Sequence, residues 1–347
     1  MYESAIDVVN VASPAPRSTW REVLAADTDA LVTQSPEWLD CLVEMTGWRN
    51  ATRLYEMADG SRLVMPAVSA AFSAIESSLP NGWGFGGLIG DVQLTARHIS
   101  AVFEDLVNRS TIQYRIRPNV VQADLWAAAA PERATTVARR AHAIPLTGGP
   151  DAAFQNLERD TRRRIRRAES LGVEIEYDGT GKNVAEFHNL LMESIDRWAG
   201  QQHEPLALAR CRAQRRDPLE KFESLARHLG PALQIGLARH EGRVVAANVV
   251  LMGTNAHATR AAMNKELAAP LSANALLEWK AIEAACERGC RYYHMGESGS
   301  SEALARHKRS YGAQAFDYSE FRIERLPISA ADAFARRTVK RLIRFED

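Results

Sequence analysis

The chain has 347 residues, 46% hydrophobic and 25% charged, a profile that excludes a disordered or fibrous protein. Its 43 Lys and Arg balance 43 Asp and Glu, so the formal net charge is zero and no global field attracts polyanions. Any contact with nucleic acid must therefore come from a local patch. We see no signal pattern and no apolar run long enough to span a bilayer, and we expect a cytoplasmic enzyme.

The first half predicts helices and strands joined by short turns. Ser35 and Pro36 are suited to the N-cap and first position of a helix, and Asp59-Gly60 indicates a hairpin. The predicted elements are a strand within Met1–Pro16, helices at Ser18–Ala26 and from Ser35 to Gly47, strands at Ala51–Met57 and Ser61–Val68, a glycine-rich loop at Pro80–Gly90, a helix at Thr95–Arg109, a strand at Ile112–Pro118 and a closing segment at Ala134–Ile144.

The second half restarts near Gly148-Gly149-Pro150, which is the expected boundary. Its predicted elements are helix Asp151–Leu171, strand Val173–Tyr177, helix Asn183–Trp198, a polar loop, helix Asp217–Leu229, strands Leu233–His240, Arg243–Met252 and Asn255–Met263, helix Ser272–Arg288, strand Arg291–Met295, a short helix to about Ser310, strand Phe316–Ile323 and basic helix Phe334–Arg344. The order of predicted elements in the first half resembles a degenerate form of the order in the second half. This suggests a structural repeat of an α/β unit.

One stretch, Gly289–Gly312, predicts a strand, a Ser- and Gly-rich turn and a short helix. Ser300 or Ser301 is expected to cap that helix. Glu297 stands at the carboxyl end of the strand and Lys308 on the helix. A carboxylate and an ammonium around an open strand end are a common way to build a site in an α/β protein.

This element order resembles the acyltransferase fold of the GNAT superfamily, and more closely its duplicated form, the Fem-type transferases. The resemblance covers the chain from about residue 30 to residue 325. The segments that carry it are Ser35-Pro36-Glu37-Trp38, Thr161–Arg167 with Gly172-Val173, Asn274–Trp279, Met295–Ser298 and His307–Gly312. The last is similar to the Fem pattern Phe-Lys-x-x-Phe-Gly, with His307 in the place of the first Phe.

The resemblance implies two tandem GNAT-like domains with mixed sheets flanked by helices. We expect a degenerate N-terminal domain at 1–147, a catalytic domain at 148–326 and a basic helix within 327–347. It also implies transfer of an acyl or aminoacyl group from an activated carrier to an amine, without a metal or a tightly bound cofactor. Fem-type members use aminoacyl-tRNA to extend peptidoglycan side chains or to cap small peptides and antibiotics, and other relatives are presumed to use acyl-CoA.

The expected donor site lies at the start of the helix near Ser272. A GNAT enzyme holds the CoA pyrophosphate there in a glycine-rich turn, because glycines let backbone N–H groups approach the phosphates. Residues Asn264–Asn274 contain no glycine, and Pro270 removes a donor. Ser272 as a cap, Asn274 and the helix end leave a weaker anion site. This absence favours aminoacyl-tRNA over acyl-CoA.

A tRNA acceptor end would need a basic track. The first candidate is the arginine-rich helix, from which we select Arg163, Arg166 and Arg167. Two further stretches are basic, Arg210–Arg216 and Arg336–Arg344. The alternative for each is a solvated helix face.

Aminolysis of an ester or thioester needs an unprotonated amine and a stabilised oxyanion. Lys308 could stabilise the oxyanion or the terminal phosphate and ribose of the donor, or else be a surface lysine paired with Glu302 or Glu297. Glu297 could accept the proton of the amine or bind the ammonium of the acceptor, or else serve as a helix-capping or turn carboxylate. His294 is better explained as a core histidine than as a base.

Substrate contacts are expected along the cleft of the fold. Arg260 would meet a substrate carboxylate or donor phosphate, with an internal salt bridge as the alternative, and Asn264 follows it. Arg197 and Trp198 could cover an adenine or a substrate ring, with core packing as the alternative. In the first domain, Trp83 and Phe85 of the glycine-rich loop resemble an acceptor-binding lid; the alternative is an ordinary anchored loop.

The sequence therefore predicts an N-acyltransferase that moves an aminoacyl group from tRNA to an amine, with the acceptor bound between the two halves. That acceptor would be a peptide or a small molecule, such as a peptidoglycan or antibiotic precursor. The alternatives are an acyl-CoA-dependent N-acetyltransferase and a non-catalytic pseudo-enzyme that binds a peptide or protein. No metal is expected, because Cys286 and Cys290 lack the second pair of a metal site.

Overall fold

A computed structural model describes residues 7–70 and 74–326 of the chain. The chain is divided into two compact units. Unit 1 is formed by the chain up to Ala141 together with the segment that begins at Phe316, and unit 2 by His142–Ala315. The expected basic helix Phe334–Arg344 lies outside the described residues.

The first part of the chain contains nine strands and four α-helices among the residues described here. The strands are β1 (Val8–Ala12), β2 (Arg49–Asn50), β3 (Arg53–Met57), β4 (Arg62–Met65), β5 (Val68–Ser69), β6 (Ile75–Ser78), β7 (Ile89–Gly90), β8 (Gln113–Ile116) and β9 (Thr135–Pro145). The helices are α1 (Arg17–Ala26), α2 (Pro36–Thr46), α3 (Ala96–Asn108) and α4 (Ala123–Ala129).

The second part alternates in a similar way. Its helices are α5 (Gly149–Gln155), α6 (Arg159–Ser170), α7 (Val184–Gln201), α8 (Leu206–Arg216), α9 (Leu219–Leu229), α10 (Lys265–Leu271), α11 (Ala273–Glu287) and α12 (Glu302–Arg309). Its strands are β10 (Glu174–Asp178), β11 (Leu233–His240), β12 (Arg243–Met252), β13 (Ala256–Met263), β14 (Tyr292–Glu297) and β15 (Gln314–Glu324), the last of which brings the chain back to unit 1.

Unit 1 has two groups of strands. Strands β1, β3, β4 and β7 form an antiparallel sheet in that order, and the predicted hairpin of β3 and β4 is confirmed. In the second group β6 pairs in parallel with β8, and β8 pairs antiparallel with β15. Helix α3 covers this unit through Phe103, whose ring packs edge-on against Trp126 and Phe321. All three side chains are buried, so apolar burial stabilises this unit.

Unit 2 is built on the strand order β10-β11-β12-β13-β14. The first four strands pair antiparallel, and β14 joins β13 in parallel. Helix α11 lies on this sheet because Ala275, Leu276 and Trp279 bury their side chains in the core of the unit. The helices α5 and α6 contribute Ala153 and Ile165 to the same core.

Two predicted elements of unit 2 differ in the structure. The expected helix Asp151–Leu171 is broken into α5 and α6, because the backbone N–H of Glu158 leaves the helix and donates to the carbonyl of Ser310 at 2.9 Å. The expected polar loop after Trp198 contains α8 instead. That helix is stabilised by buried Ala209 and Ala213, a tertiary effect that overrides its polar composition.

In the described part of the chain, no helix combines the length and the hydropathy that crossing a bilayer requires. Three or more His, Cys, Asp or Glu side chains do not gather at any point there in a way that could hold a metal ion.

Gly236 of β11 provides a stability test of this sheet. A Cβ at Gly236 would lie 2.3 Å from Asn248 Oδ1 and 2.7 Å from Tyr177 Cε1, both on neighbouring strands. We expect Gly236→Ala to lower the free energy of unfolding by about 1–3 kcal/mol through overpacking. Urea unfolding followed by circular dichroism measures this. Gly200→Ala is the control, because a Cβ there in α7 meets nothing within 4 Å. Equal stability of both variants would contradict the packing described.

Candidate functional site

The parallel strands β13 and β14 separate soon after they meet. Within the described chain they pair at Ala256–Tyr293 and His257–His294, while β13 continues to Met263 and β14 to Glu297. The backbone edges beyond these pairs face a gap at the carboxyl ends of two parallel strands. Such a gap offers unpaired N–H and C=O groups to an extended ligand, and it is where α/β proteins place ligands.

A β-bulge turns β13 at the start of this gap. The register with β12 shifts so that Val249 faces Arg260 and Val250 faces Ala258, which leaves Thr259 as the extra residue. Its hydroxyl donates to the carbonyl of Val249 at 3.1 Å. Bulges often stand next to sites because they re-aim side chains. The sequence did not reveal this one.

Lys308 reaches the end of β14 from α12. Its side chain is only 4% exposed, and its Nζ donates to the backbone carbonyls of Gly296 at 2.8 Å and Glu297 at 2.7 Å. The turn that presents both carbonyls uses a positive φ of 69° at Gly296. Lys308 is therefore not a surface lysine, and Glu302, its suggested partner, pairs with Arg309 instead. An ammonium has three N–H groups, so one remains for a substrate oxygen.

The charge of Lys308 is sensitive to its surroundings. Burial lowers the pKa of Lys308 to about 8, against the attraction of the Glu278 and Glu297 carboxylates. Glu278 of α11 is a functional candidate that the sequence analysis missed. Burial raises the pKa of Glu278, against the attraction of Lys308. The only available signal was its place in the segment Asn274–Trp279, which does not show which way the side chain points.

The histidines around Lys308 act as uncharged rings. Burial lowers the pKa of His294 to about 4, and the pKa of His257 also falls, so both are neutral at pH 7. His294 is 1% exposed, as the core interpretation requires. His307 packs edge-on against Tyr311 with 5.2 Å between ring centroids, so it fills the place of the aromatic residue in the Fem pattern.

Arg260 has an internal partner. Its Nε and one terminal nitrogen donate to the carboxylate of Asp217 at 2.8 and 2.7 Å, and Asp217 is 2% exposed. The internal salt bridge, the alternative given for this residue, is thus the arrangement found. The sequence analysis missed Asp217, although a half-buried arginine on a strand already implied an acidic partner.

The end of β13 is covered by α7. Arg197 donates to the carbonyl of Met263 at 2.6 Å, and its guanidinium lies 5.7 Å from the ring centroid of Trp198. Trp198 is 37% exposed, so its ring is not core packing. Asn264 caps α10, since its side chain accepts from the N–H of Leu267 at 3.2 Å.

The expected capping role of Ser272 is wrong. Ser272 precedes α11, but it lies in the left-handed region with φ 55° and its side chain makes no capping hydrogen bond. The reason is α10, an unpredicted helix that ends at Leu271 and uses the N–H of Ser272 for its own carbonyls at Ala268 and Ala269. Asn274 lies in the first turn of α11.

Helix α6 brings its arginines beside this junction. Arg167 donates through Nε to the carbonyl of Pro270 in α10 at 3.2 Å. Arg163 is 80% exposed and pairs with Asp160, while Arg166 lies over the ring of Phe154 at 5.8 Å. The apolar side of α6 is buried in the core of unit 2, which leaves these arginines on the outer side.

In unit 1 the glycine-rich loop is held by the start of α2. Trp38 donates its indole N–H to the carbonyl of Trp83 at 3.1 Å, and Thr33 donates to the carbonyl of Phe85 at 2.6 Å. Trp83 and Phe85 are 7% and 4% exposed, and Phe85 packs against Tyr318. An acceptor contact by either ring would therefore require the loop to move.

The structure thus brings most of the predicted residues together in unit 2, around the ends of β13 and β14 and the start of α11. They are Lys308, Glu297, Arg260, Asn264, Arg197, Trp198, Ser272, Asn274 and Arg167. Trp83 and Phe85 belong to unit 1.

Comparison with known proteins agrees with this architecture. The family model described as "Acetyltransferase (GNAT) domain" matches residues 155–309. No curated protein matches the chain. The crystal structure of FemX is similar with a TM-score of 0.64 and 11% identity, over 91% of this chain and 97% of FemX. A conserved protein of unknown function from Bacteroides thetaiotaomicron VPI-5482 is similar with a TM-score of 0.54 and 13% identity, over 90% and 99% of the two chains.

These similarities confirm the expected fold class, a mixed α/β protein with GNAT-like architecture. The separated strands β13 and β14, the β-bulge of β13 and the buried Lys308 all lie within residues 155–309. Residues 155–309 thus match a GNAT acetyltransferase domain model, and the chain as a whole has a fold similar to that of FemX.

Proposed function

We propose that the protein is an N-acyltransferase that transfers an aminoacyl group from aminoacyl-tRNA to the amine of a peptide or small molecule, such as a peptidoglycan or antibiotic precursor. The observation that carries the choice of donor is the junction of α10 and α11 with the arginines of α6 beside it. We also propose that the protein acts in the cytoplasm.

The junction is poorly built to hold a pyrophosphate. The N–H of Ser272 is bound within α10, the N–H of Ala275 donates to the carbonyl of Ser272 at 2.9 Å, and Pro270 has no N–H. A phosphate cradle needs several free N–H groups that point at one place. Side-chain cations must replace them. Arg167 contacts the junction at the carbonyl of Pro270, and Arg163 lies one turn before it on α6.

A polyanion suits that arrangement better than a small cofactor. The exposed arginines follow one helix, and Arg166 and Arg167 lie one turn from Arg163. Phosphates of a nucleic acid backbone are spaced so that a row of cations can neutralise several of them. The terminal adenosine ester would then enter the gap between β13 and β14.

The chemistry proposed for that gap is addition of an amine to a carbonyl carbon. The nitrogen forms a bond to the carbon, the carbonyl oxygen becomes an oxyanion, and the carrier oxygen then leaves with a proton. The third N–H of Lys308 would stabilise the oxyanion, since the other two are held by Gly296 and Glu297. Glu297 and Glu278 are the carboxylates available to take the proton of the amine.

A second donor is favoured by a specific observation. The separated edges of β13 and β14 could pair with the amide groups of an extended pantetheine arm, and the matched family is one of acetyltransferases. Acyl-CoA is therefore the alternative donor.

Label transfer separates these possibilities. Purified protein with an amine pool would receive either labelled aminoacyl-tRNA or labelled acetyl-CoA, with deacylated tRNA as a competitor. We expect label in the amine pool from tRNA, and inhibition by deacylated tRNA. Transfer from acetyl-CoA alone would replace the proposed donor with the alternative, and no transfer from either would favour a non-catalytic binding protein.

The pKa of Lys308 predicts a pH dependence. Because its pKa is about 8, the ammonium dominates below that value and is lost above it. We expect kcat/KM to fall above pH 8, with a slope approaching one decade per pH unit. Initial rates from about pH 6 to about pH 10, corrected for spontaneous ester hydrolysis, measure this. A rate that keeps rising through this range would show that the charge of Lys308 is not required.

A further inference from the structure

Unit 1 contains a polar cavity of ≈ 450 Å³ that the proposed reaction does not use. It lies near Glu76 of β6 and near Ser110 and Thr111, which come shortly before β8. Strands β6 and β8 are parallel, and the glycine-rich loop meets the chain beyond their carboxyl ends, where Gly86 bridges Pro118. The cavity is therefore at the opposite end of this strand pair from the loop.

The cavity has a fixed cation among its lining side chains. Arg53 is 1% exposed and forms a short ion pair with Glu76, whose side chain is 7% exposed. A second terminal nitrogen of Arg53 donates to the hydroxyl of Tyr114 at 3.3 Å, and its Nε lies 3.9 Å from Asp105. These contacts hold the guanidinium in one orientation, so it costs little ordering entropy on binding.

Two further arginines in the lining are more accessible. Arg49 is exposed and forms no ion pair with any residue in the described parts of the chain. Arg109 is 34% exposed, and its nearest acid is Asp105 at 3.6 Å. The lining thus holds three guanidiniums against the single carboxylate of Glu76, an excess of two positive charges. Asp105, which lies behind the lining, reduces this excess to one.

This charge is a property of the cavity rather than of the whole surface. The protein has no net charge, and the cavity of ≈ 370 Å³ in unit 2 is lined by Glu169, Glu283 and Glu287 with Lys280 as its only described cation. A cavity of about 300–1,000 Å³ with a few convergent polar groups is the usual form of a small-molecule site. The excess cations select an anion.

We propose that this cavity binds a phosphate monoester of a small polar molecule, with Arg49 and Arg109 closing on the phosphate above Arg53. A phosphate monoester carries about −1.5 to −2 charges at pH 7 and three acceptor oxygens. Its three acceptor oxygens can meet the donors of three arginines and two hydroxyls more fully than the two oxygens of a monocarboxylate. Guanidinium groups bind phosphate oxygens in pairs, and the hydroxyls of Ser110 and Thr111 supply further donors.

Calorimetric titration of the full chain tests this site. The probes are glycerol 3-phosphate, inorganic phosphate and succinate, a dianion of another geometry. We expect saturable binding of glycerol 3-phosphate with a dissociation constant of about 1 mM or tighter, and weaker binding of succinate. Absence of saturable binding by either phosphate would overturn the site, and tighter binding of succinate would overturn the assignment to phosphate.

Arginine variants locate the binding. Arg49→Gln and Arg109→Gln are each expected to raise the dissociation constant for glycerol 3-phosphate by about tenfold, since each removes a charge-assisted contact. Arg133→Gln is the matched control, because Arg133 is an exposed arginine of unit 1 outside the cavity, and it should change binding by less than about twofold. Equal weakening in all three variants would show diffuse surface attraction and overturn the proposal. Arg53 is not substituted, because its removal would leave the carboxylate of Glu76 buried without its ion-pair partner.

Discussion

Replacing Lys308 by Met is expected to lower kcat/KM for acyl transfer by about 10²–10³-fold, the usual effect of removing one donor to an oxyanion. Within the described chain, the ammonium uses two of its three N–H groups for the carbonyls of Gly296 and Glu297, and Met has a similar length without the ammonium. Label transfer under single-turnover conditions measures the loss. A rate within about threefold of the wild type would remove Lys308 from the mechanism.

The fold should survive this change because two effects oppose each other. Met removes the cost of burying a charge, which the lowered pKa of Lys308 reports. It also leaves the carbonyls of Gly296 and Glu297 without their donor, at about 1–3 kcal/mol each if they remain dry. Circular dichroism and the thermal midpoint check the fold. Lys280→Met is the control, because Lys280 of α11 is 36% exposed and pairs with Glu283 on the surface.

Asp217→Asn is expected to cost about 3–5 kcal/mol of unfolding free energy, the loss that follows when one partner of a buried ion pair is removed. Asp217 is 2% exposed and accepts from Arg260, from Lys221 at 3.1 Å and from Arg216 at 2.8 Å. Lys221 is itself 4% exposed and would keep its charge without a carboxylate. Urea unfolding measures the loss.

The pH dependence of this contribution has a definite sign. Burial alone would raise the pKa of Asp217, but Arg260, Lys221 and Arg216 outweigh it, and the pKa lies well below its usual range. A depressed pKa contributes stability above the unfolded value of about 3.9, and this is lost as the pH falls toward the folded value. The wild type should therefore lose its advantage over Asp217→Asn below about pH 4.

Two variants control the Asp217 experiment. Asp196→Asn removes an exposed carboxylate that is paired with Arg210 at 2.6 Å, and should cost no more than about 1 kcal/mol. Adding Lys221→Met to Asp217→Asn removes one stranded charge and should recover part of the loss. If Asp196→Asn and Asp217→Asn cost the same, the buried ion pairs of Asp217 do not contribute the stability expected of them.

Local signals in the sequence were reliable where they concern helix ends. Ser35 caps α2 with Pro36 in the first position, Gly47 ends it in the left-handed region, and Ser301 caps α12. Each is determined by the chemistry of one or two residues. The position of Lys308 followed from the same kind of signal together with the Fem pattern.

The signals failed where distant parts of the chain compete with local preference. The arginine-rich stretch reads as one helix, but Glu158 is taken out of it by Ser310, about 150 residues away. Ser272 reads as a cap, but α10 uses its N–H first. The partner of Arg260 lies in another element, and sequence spacing holds no information about that contact.

The contact between Glu158 and Ser310 has a consequence for how this region tolerates change. The helix with the exposed arginines and the helix with the buried lysine are joined there by a main-chain N–H and a main-chain carbonyl at 2.9 Å. Because main-chain groups make this contact, most substitutions of the exposed Glu158 side chain preserve it. Proline at 158 is the exception, because it alone removes the N–H and so would release the two helices from each other.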